Sequence, residues 1–322
     1  MTRVLVTGAA GFIGSHVAEA LAARGDAVIG LDNFDLFYPR AVKERNIGAL
    51  RQRPRFTFVE GDVRDAALVR SLLDGDTTVV HLAARAGVRP SIQQPAEYVS
   101  VNVDGTMVML EAARAAGSRG FVFGGSSSVY GDSAPVPFRE DWPAVEPISP
   151  YAATKRAGEL MCVTYAHLHG LRALSLRLFT VYGPRQRPDL AIHRFTRLLA
   201  SGQPVQRYGD GSTERDYTYV DDIVQGVLAG IDWVRQGPAA FEIVNLGGSR
   251  TTRLDRLIGL IGDALGVTPT IDVQPMQPGD VVRTCADVSK AGRLLGYRPT
   301  TLVEEGIPRF VRWYEEAHGR QT

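Results

Sequence analysis

Across the first 180 residues, short runs rich in β-branched and aromatic residues alternate with longer stretches whose apolar positions recur every three to four residues. The runs RVLVTG (3–8), AVIGLD (27–32), RFTFVEGD (55–62), TTVVHLAA (77–84), GFVFGGS (120–126) and LRALSLRLF (171–179) predict strands. Between them, IGSHVAEALAARG and NVDGTMVMLEAARAAG predict helices that stop at Gly25 and Gly117, where a left-handed cap suits glycine. Repeated strand, helix, strand units call for a parallel sheet with helices on both faces, so the expected class is α/β with a doubly wound sheet. Beyond about residue 180 the pattern loosens: Pro184, Pro188, Pro204, Pro275 and Pro278 punctuate short elements. The expected division is a sheet domain over 1–180 with about 216–248, and a smaller α/β domain over 181–215 and 249–322.

Composition narrows the function classes. A chain of 322 residues with 44% hydrophobic and 22% charged residues reads as globular. The 36 Lys plus Arg against 35 Asp plus Glu give no net field for nucleic acid or an anionic membrane. Cys162 and Cys285 lie in apolar-leaning segments without metal-ligand spacing, which predicts two buried thiols and no metal. No apolar run reaches the roughly 18 residues of a membrane span, and the opening residues carry no basic, long-apolar leader, so a cytoplasmic location is expected.

The segment VTGAAGFIGSH (6–16) leaves a predicted strand and enters a predicted helix. Gly8 permits the sharp turn, Gly11 lets a pyrophosphate approach the backbone, and Gly14 lets the helix pack against the strand, while the helix N-terminus offers free N–H groups to an anion. The spacing is G-x-x-G-x-x-G rather than G-x-G-x-x-G, and three glycines alone also fit a tight turn that binds nothing. Asp32, 18 residues after Gly14 at the end of the second strand, argues for a ligand, because a carboxylate there accepts hydrogen bonds from an adenosine ribose diol. Asn33 follows it, with no arginine to take a 2'-phosphate, so NAD is expected over NADP. Asp62 either bonds the adenine amine or is a solvated loop carboxylate. Ala83 and Ala84 either make room for the dinucleotide or pack a helix. The expected cofactor set is completed by Phe12, Ile13, Val63 and Leu82.

Candidate chemistry lies in FGGSSSVYG and SPYAATKRAGE. Tyr151 and Lys155 are four apart and share one side of a helix. A phenol with a pKa near ~10 serves as a base only if its anion is stabilised. Lys155 and the positive nicotinamide ring would do that, and Ser126 would share the substrate hydroxyl's hydrogen bond.

Together TGAAGFIGSH, Asp32, HLAA, SSSVYG and YAATK resemble the extended short-chain dehydrogenase/reductases over nearly the whole chain. The resemblance implies a Rossmann-type domain for NAD, a smaller C-terminal domain that binds a nucleotide sugar, Ser126, Tyr151 and Lys155 as catalytic residues, and a homodimer built on two helices of each Rossmann domain. Gly124 and Gly125 depart from the small or hydroxyl residues expected before Ser126, which predicts a loose strand end. Dehydratases and decarboxylases of the family carry a carboxylate just before VYG, where this chain has Ser128. That favours epimerisation.

The segment LRLFTVYGPRQRPDLAIHRFTRLL is similar to that of UDP-glucuronate 4-epimerases. The resemblance places Thr180 and Arg187 near the sugar carboxylate, and Arg89, after the fourth strand, is a further candidate for the same pocket. A guanidinium holds a carboxylate in two parallel hydrogen bonds, to which Ser127 and Thr180 can add neutral ones. It also places Arg215 at the diphosphate, Asp280 at the uridine ribose, and Gln206 and Tyr208 beside the uracil. Asp221 and Asp222 are expected to cap the helix that follows them. The implied reaction is NAD-dependent conversion of UDP-glucuronate to UDP-galacturonate at C4. The alternatives are a UDP-glucose or UDP-N-acetylglucosamine 4-epimerase and a non-catalytic NAD-sensing protein.

Overall fold

The computed structural model describes residues 2–275 and 282–319. Its centre is a seven-stranded, all-parallel sheet built from β1 (Arg3–Thr7), β2 (Ala27–Asp32), β3 (Phe56–Glu60), β4 (Thr77–His81), β5 (Gly120–Ser126), β6 (Ala173–Leu178) and the strand Phe241–Leu246. The spatial order runs Phe241–Leu246, β6, β5, β4, β1, β2, β3. β1 therefore pairs with β2 on one side and β4 on the other, Thr7 lying opposite both Leu31 and His81. At such a reversal of strand order the connections leave in opposite directions, and a crevice opens at the carboxyl ends of the strands.

Side chains alternate across the sheet. Val4 and Val6 enter one apolar cluster with Val17 and Leu21 of α1 (Phe12–Arg24) and Val227 and Ile231 of the helix Val220–Val234. Leu5 enters another, with Met109 and Leu110 of the helix Gly105–Ala116 and Cys162 and Tyr165 of the helix Pro150–His169. Period-two alternation has thus sorted helices onto both faces. Gly25 and Gly117 stop their helices with φ of +91° and +65°.

The rest of the chain builds short ladders. Thr180–Tyr182 pairs with Tyr217–Tyr219, Glu214–Arg215 with Thr252–Arg253, and Val205–Tyr208 with Ile271–Gln274. The helices Ala191–Ala200, Leu254–Leu265 and Val303–His318 cover them, and their apolar residues Phe195, Leu257 and Phe310 join the same cluster as Val4. Asp222 corrects the capping expectation. It sits in the first turn of its helix, but its carboxylate accepts the N–H of Thr300 at 3.1 Å and of Thr301 at 3.0 Å, pinning a distant segment. Gly124 and Gly125 also differ from expectation. A Cβ on Gly125 would lie 2.8 Å from Ser175 Oγ, and one on Gly124 would lie 3.0 Å from Leu82. With neighbours that close on a fully buried strand, this strand end is tightly packed, not loose. Cys162 is buried as expected, whereas Cys285 is only half-buried; both are free thiols.

Candidate functional site

A cavity of about 500 Å³ opens at the carboxyl ends of β1, β2, β4 and β5. The glycine loop forms one wall. Gly8 adopts φ +69°, and a Cβ there would fall 2.9 Å from the Ala83 nitrogen; one on Gly14 would fall 2.1 Å from the Gly8 carbonyl. Neither position admits a side chain, and helix and strand meet because both lack one. Gly11 caps α1 without a side-chain partner for the first N–H groups, and Gly11, Phe12, Ile13 and Gly14 all line the cavity. Asp32 closes this wall: its carboxylate accepts Ala10 N at 3.1 Å and Phe34 N at 2.8 Å. Lys43 Nζ stands 3.4 Å from the same carboxylate. The sequence reading missed this lysine, which in RAVKERN looks like part of a solvated helix face and reaches Asp32 only through the fold. A cradle closed to Cβ atoms, free helix N–H groups and a strand-end carboxylate fit a dinucleotide.

Asn33, Val63, Leu82, Ala83 and Ala84 also line the cavity. Asp62 does not. Its carboxylate is taken by Arg64 at 2.7 and 2.9 Å and by Asn33 Nδ2 at 2.9 Å, and the Arg64 contacts hold its pKa down to about 2.

The proposed chemistry forms the opposite wall. Ser126 ends β5, where its Oγ accepts the N–H of Ser128 at 3.2 Å, and Ser126, Ser127, Ser128, Tyr151 and Lys155 all face the cavity. Ser149 caps the helix Pro150–His169 by accepting the N–H of Ala152, with Pro150 in the first turn. This sets the helix so that Tyr151 meets the cavity one turn before Lys155. Burial pushes the Tyr151 hydroxyl's pKa up, while the hydrogen bond to Ser126 and the charge of Arg187 pull it down. Lys155 donates from Nζ to the Gly124 carbonyl at 2.7 Å; burial lowers its pKa to about 8 against the opposing charge of Glu159.

Arg187 rises from the loop 183–190, which is anchored by Gln186 between the two arginines. Gln186 is buried, donates to the Val181 carbonyl at 3.0 Å and accepts the His193 N–H at 3.1 Å. On one side Arg185 turns to Glu19 of α1 at 2.8 Å, beside the contact of His16 Nε2 with the Pro184 carbonyl at 2.9 Å. On the other, Arg187 lines the cavity with Thr180, its guanidinium 5.0 Å from the Phe37 ring centre. Ser127, Thr180 and Arg187 are therefore brought to the same chamber as Ser126 and Tyr151.

The nucleotide-end candidates lie outside this chamber. Gln206 Oε1 accepts from Arg194 at 2.6 Å, and Arg215 donates to the Glu214 and Val282 carbonyls at 3.0 and 3.2 Å. Arg89, expected in the pocket of Arg187, does not line the chamber either; its guanidinium stacks 5.2 Å from the ring centre of Tyr208. Asp280 lies outside the described residues.

A buried polar chain that the sequence did not reveal braces the floor. Ala83 N–H donates to Thr7 Oγ1 (3.1 Å), which meets His81 Nδ1 (2.8 Å); His81 Nε2 meets Thr106 Oγ1 (3.0 Å), which donates to the Asn102 carbonyl (2.6 Å). Burial lowers the His81 pKa to about 3, so it is neutral. Asn102, in a single π-helical turn, holds the backbone of Arg85 from both sides and donates to Thr154, which donates to the Tyr151 carbonyl.

Residues 4–247 match the model of the NAD dependent epimerase/dehydratase family. A UDP-glucuronate 4-epimerase 1 of Arabidopsis thaliana is 43% identical, covering 99% of this chain and 78% of its own. The crystal structure of a UDP-glucuronic acid 4-epimerase from Bacillus cereus, in complex with UDP-glucuronic acid and NAD, superposes with a TM-score of 0.89 at 35% identity, over 98% of this chain and 100% of that one. A dTDP-glucose 4,6-dehydratase from Streptomyces venezuelae, crystallised with NAD, reaches a TM-score of 0.90 at 35% identity over 99% and 98%. Backbone shape is thus shared between two reactions, and side chains have to separate them.

Proposed function

Because this chain belongs to the NAD dependent epimerase/dehydratase family, we propose that it interconverts UDP-glucuronate and UDP-galacturonate by inverting C4 through a 4-keto sugar. The observation that carries this reading is one chamber lined by Ser126, Ser127 and Tyr151 together with Arg187 and Thr180. A dehydratase needs a further acid or base for elimination. Among the described residues lining the cavity the carboxylates are Asp32, at the end of β2, and Asp35, in the loop after it, and Ser128 stands before Val129, Tyr130 and Gly131.

NAD, held by Gly8, Gly11, Gly14 and Asp32, would supply the hydride acceptor and donor for C4. Tyr151 removes the C4 hydroxyl proton through a hydrogen bond shared with Ser126 and later gives a proton back. Lys155 and Arg187 supply the positive field that makes a tyrosinate accessible. The keto sugar turns over about its link to the diphosphate between the two hydride steps. The ketone at C4 lies β to the C6 carboxylate, so loss of carbon dioxide is the hazard. Arg187, with Ser127 and Thr180, holds the carboxylate near the plane of the carbonyl, where the C5–C6 bond overlaps poorly with the π system.

Arg215, Gln206, Tyr208 and Asp280 would serve the nucleotide, and the smaller domain would span 181–215 and 249–322. Exposed apolar side chains on two neighbouring Rossmann helices, Met107 on one and Leu160 and Val163 on the other, support a homodimer. No helix among the described residues is long and apolar enough to cross a membrane, which agrees with a cytoplasmic enzyme.

Incubation with UDP-glucuronate, followed by chromatography resolving galacturonate from pentose products, tests the reading. Epimer without pentose is expected, with Tyr151→Phe losing at least about a hundredfold in kcat. Faster turnover of neutral UDP-hexoses than of the uronate would replace the substrate, and no turnover with any UDP-sugar would leave an NAD-sensing protein.

A further inference from the structure

Asp189 is two residues beyond Arg187 and grips it by a single edge. Arg187 Nε donates to Asp189 Oδ1 at 3.0 Å and Nη2 to Oδ2 at 2.6 Å. A guanidinium carries five N–H groups in one plane: Nε and half of Nη2 form its side edge, and Nη1 with the other half of Nη2 forms its end edge. Asp189 consumes the side edge. Nη1 has no hydrogen-bond partner among the described residues, although the Arg187 side chain is only 16% exposed. Arg187 lines the cavity and Asp189 does not; its side chain is 41% exposed behind the arginine. The Phe37 ring, 5.0 Å from the guanidinium carbon, limits tilting of the plane.

We propose that Asp189 is a positioning residue that fixes the plane of Arg187 and reserves its end edge for the carboxylate of an acidic sugar. The inference rests on the reading of Arg187 as the uronate ligand. The plane of the guanidinium dictates the plane of a carboxylate bound to it in two parallel hydrogen bonds. Because the C5–C6 bond lies along the axis of that carboxylate, Asp189 thereby fixes the direction of C5–C6, and with it the torsion about C4–C5, without touching the sugar. If that torsion is released, the C5–C6 bond can align with the C4 carbonyl: the bond breaks, its electron pair passes into an enolate across C4 and C5, carbon dioxide leaves, and C5 takes up a proton. The product is a 4-keto pentose. Asp189 also offsets the charge of Arg187 before substrate arrives, so its removal leaves attraction for the uronate intact or stronger while orientation is lost.

The test compares Asp189→Ala, Asp189→Asn, Asp189→Glu and Arg187→Ala on UDP-glucuronate, with bound NAD measured by absorbance to confirm folded protein. Loss of a charge-assisted pair predicts that Asp189→Ala raises the pentose share about tenfold and lowers kcat for epimerisation, with KM unchanged or reduced. Asp189→Glu, which keeps a carboxylate, returns the pentose share toward wild type. Arg187→Ala instead raises KM. If Asp189→Ala matches wild type in pentose share and kcat while Arg187→Ala does not, or if it raises KM as Arg187→Ala does without pentose, Asp189 is not a positioning residue. If the wild type leaves UDP-glucuronate unchanged, or Arg187→Ala has no effect, the reading beneath the inference fails and takes it down.

Discussion

Arg177 with Glu159 and Arg187 with Asp189 make the same fork-on-fork contact, at 2.8 and 2.9 Å in the first and 3.0 and 2.6 Å in the second. Their surroundings differ. The first pair is 1% and 0% exposed, walled in by the Tyr130 ring and joined by Arg156 and Ser175, which donate to the same carboxylate. The second borders a water-accessible chamber. A buried pair of this kind gives little net stability over a hydrophobic replacement, but removing one partner strands the other charge in low dielectric. A pair whose carboxylate is 41% exposed is worth little, about 0–1 kcal/mol, and its geometry is free to serve a ligand. Identical chemistry is therefore committed to the fold in one place and available to substrate in the other.

The most damaging break in this comparison is Glu159→Ala, which leaves Arg177 buried with an Nη1 that already lacks a partner. It should cost about 3–5 kcal/mol, read as a lower denaturant midpoint, whereas Asp189→Ala should cost less than about 1 kcal/mol. Equal losses would erase the distinction. Glu159 also opposes the burial that holds Lys155 near pKa 8, so Glu159→Gln should move Lys155 lower still.

His81 extends the buried side. Unfolded, it takes a proton below pH 6.5; folded, burial delays protonation to about 3. Between those values the unfolded state binds more protons, so stability falls as pH drops below 6.5 and is untouched above it. At pH 5 the loss is about 2 kcal/mol, or roughly 4 °C in Tm. His81→Leu, less stable throughout for want of its two threonine partners, should show a flatter Tm between pH 7 and 5; an unchanged slope would remove His81 as the cause.

The sequence was most informative where local chemistry is decisive. Ala27–Asp32 and Gly120–Ser126 begin and end where their β-branched and aromatic runs meet turn residues, and Gly25 and Gly117 stop helices because the left-handed cap needs no tertiary partner. Gly8, Gly14, Ser126, Tyr151 and Lys155 were readable because their spacing encodes strand, turn and helix geometry. What stayed hidden depends on contacts between distant segments. Glu159 in RAGELM looks like a surface carboxylate until β6 brings Arg177 beneath it, Lys43 until its helix folds over Asp32, and Asn102 until a π turn aims it at Arg85. The looseness expected at Gly124 and Gly125 failed for the same reason: absent side chains there are filled by neighbours from β6 and from Leu82.

The smallest expected effect separates the two arginines by their reach to the reacting group. Arg187 acts on Tyr151 by charge, pulling its pKa down against burial, whereas Arg177 is not among the groups that shift it. Removing a nearby cation disfavours the phenolate, so Arg187→Ala should raise the Tyr151 pKa and move the acid limb of kcat/KM to higher pH. Asp189→Ala, by unmasking the same guanidinium, should move that limb the opposite way. A neutral UDP-hexose, if it is turned over at all, is the right substrate for this measurement, because it has no carboxylate to neutralise Arg187 and the limb then reports the arginine alone. Limbs that coincide in wild type, Arg187→Ala and Asp189→Ala would mean that Arg187 meets the sugar without tuning the base, leaving Lys155 and the bound nicotinamide as the charges that make the tyrosinate accessible.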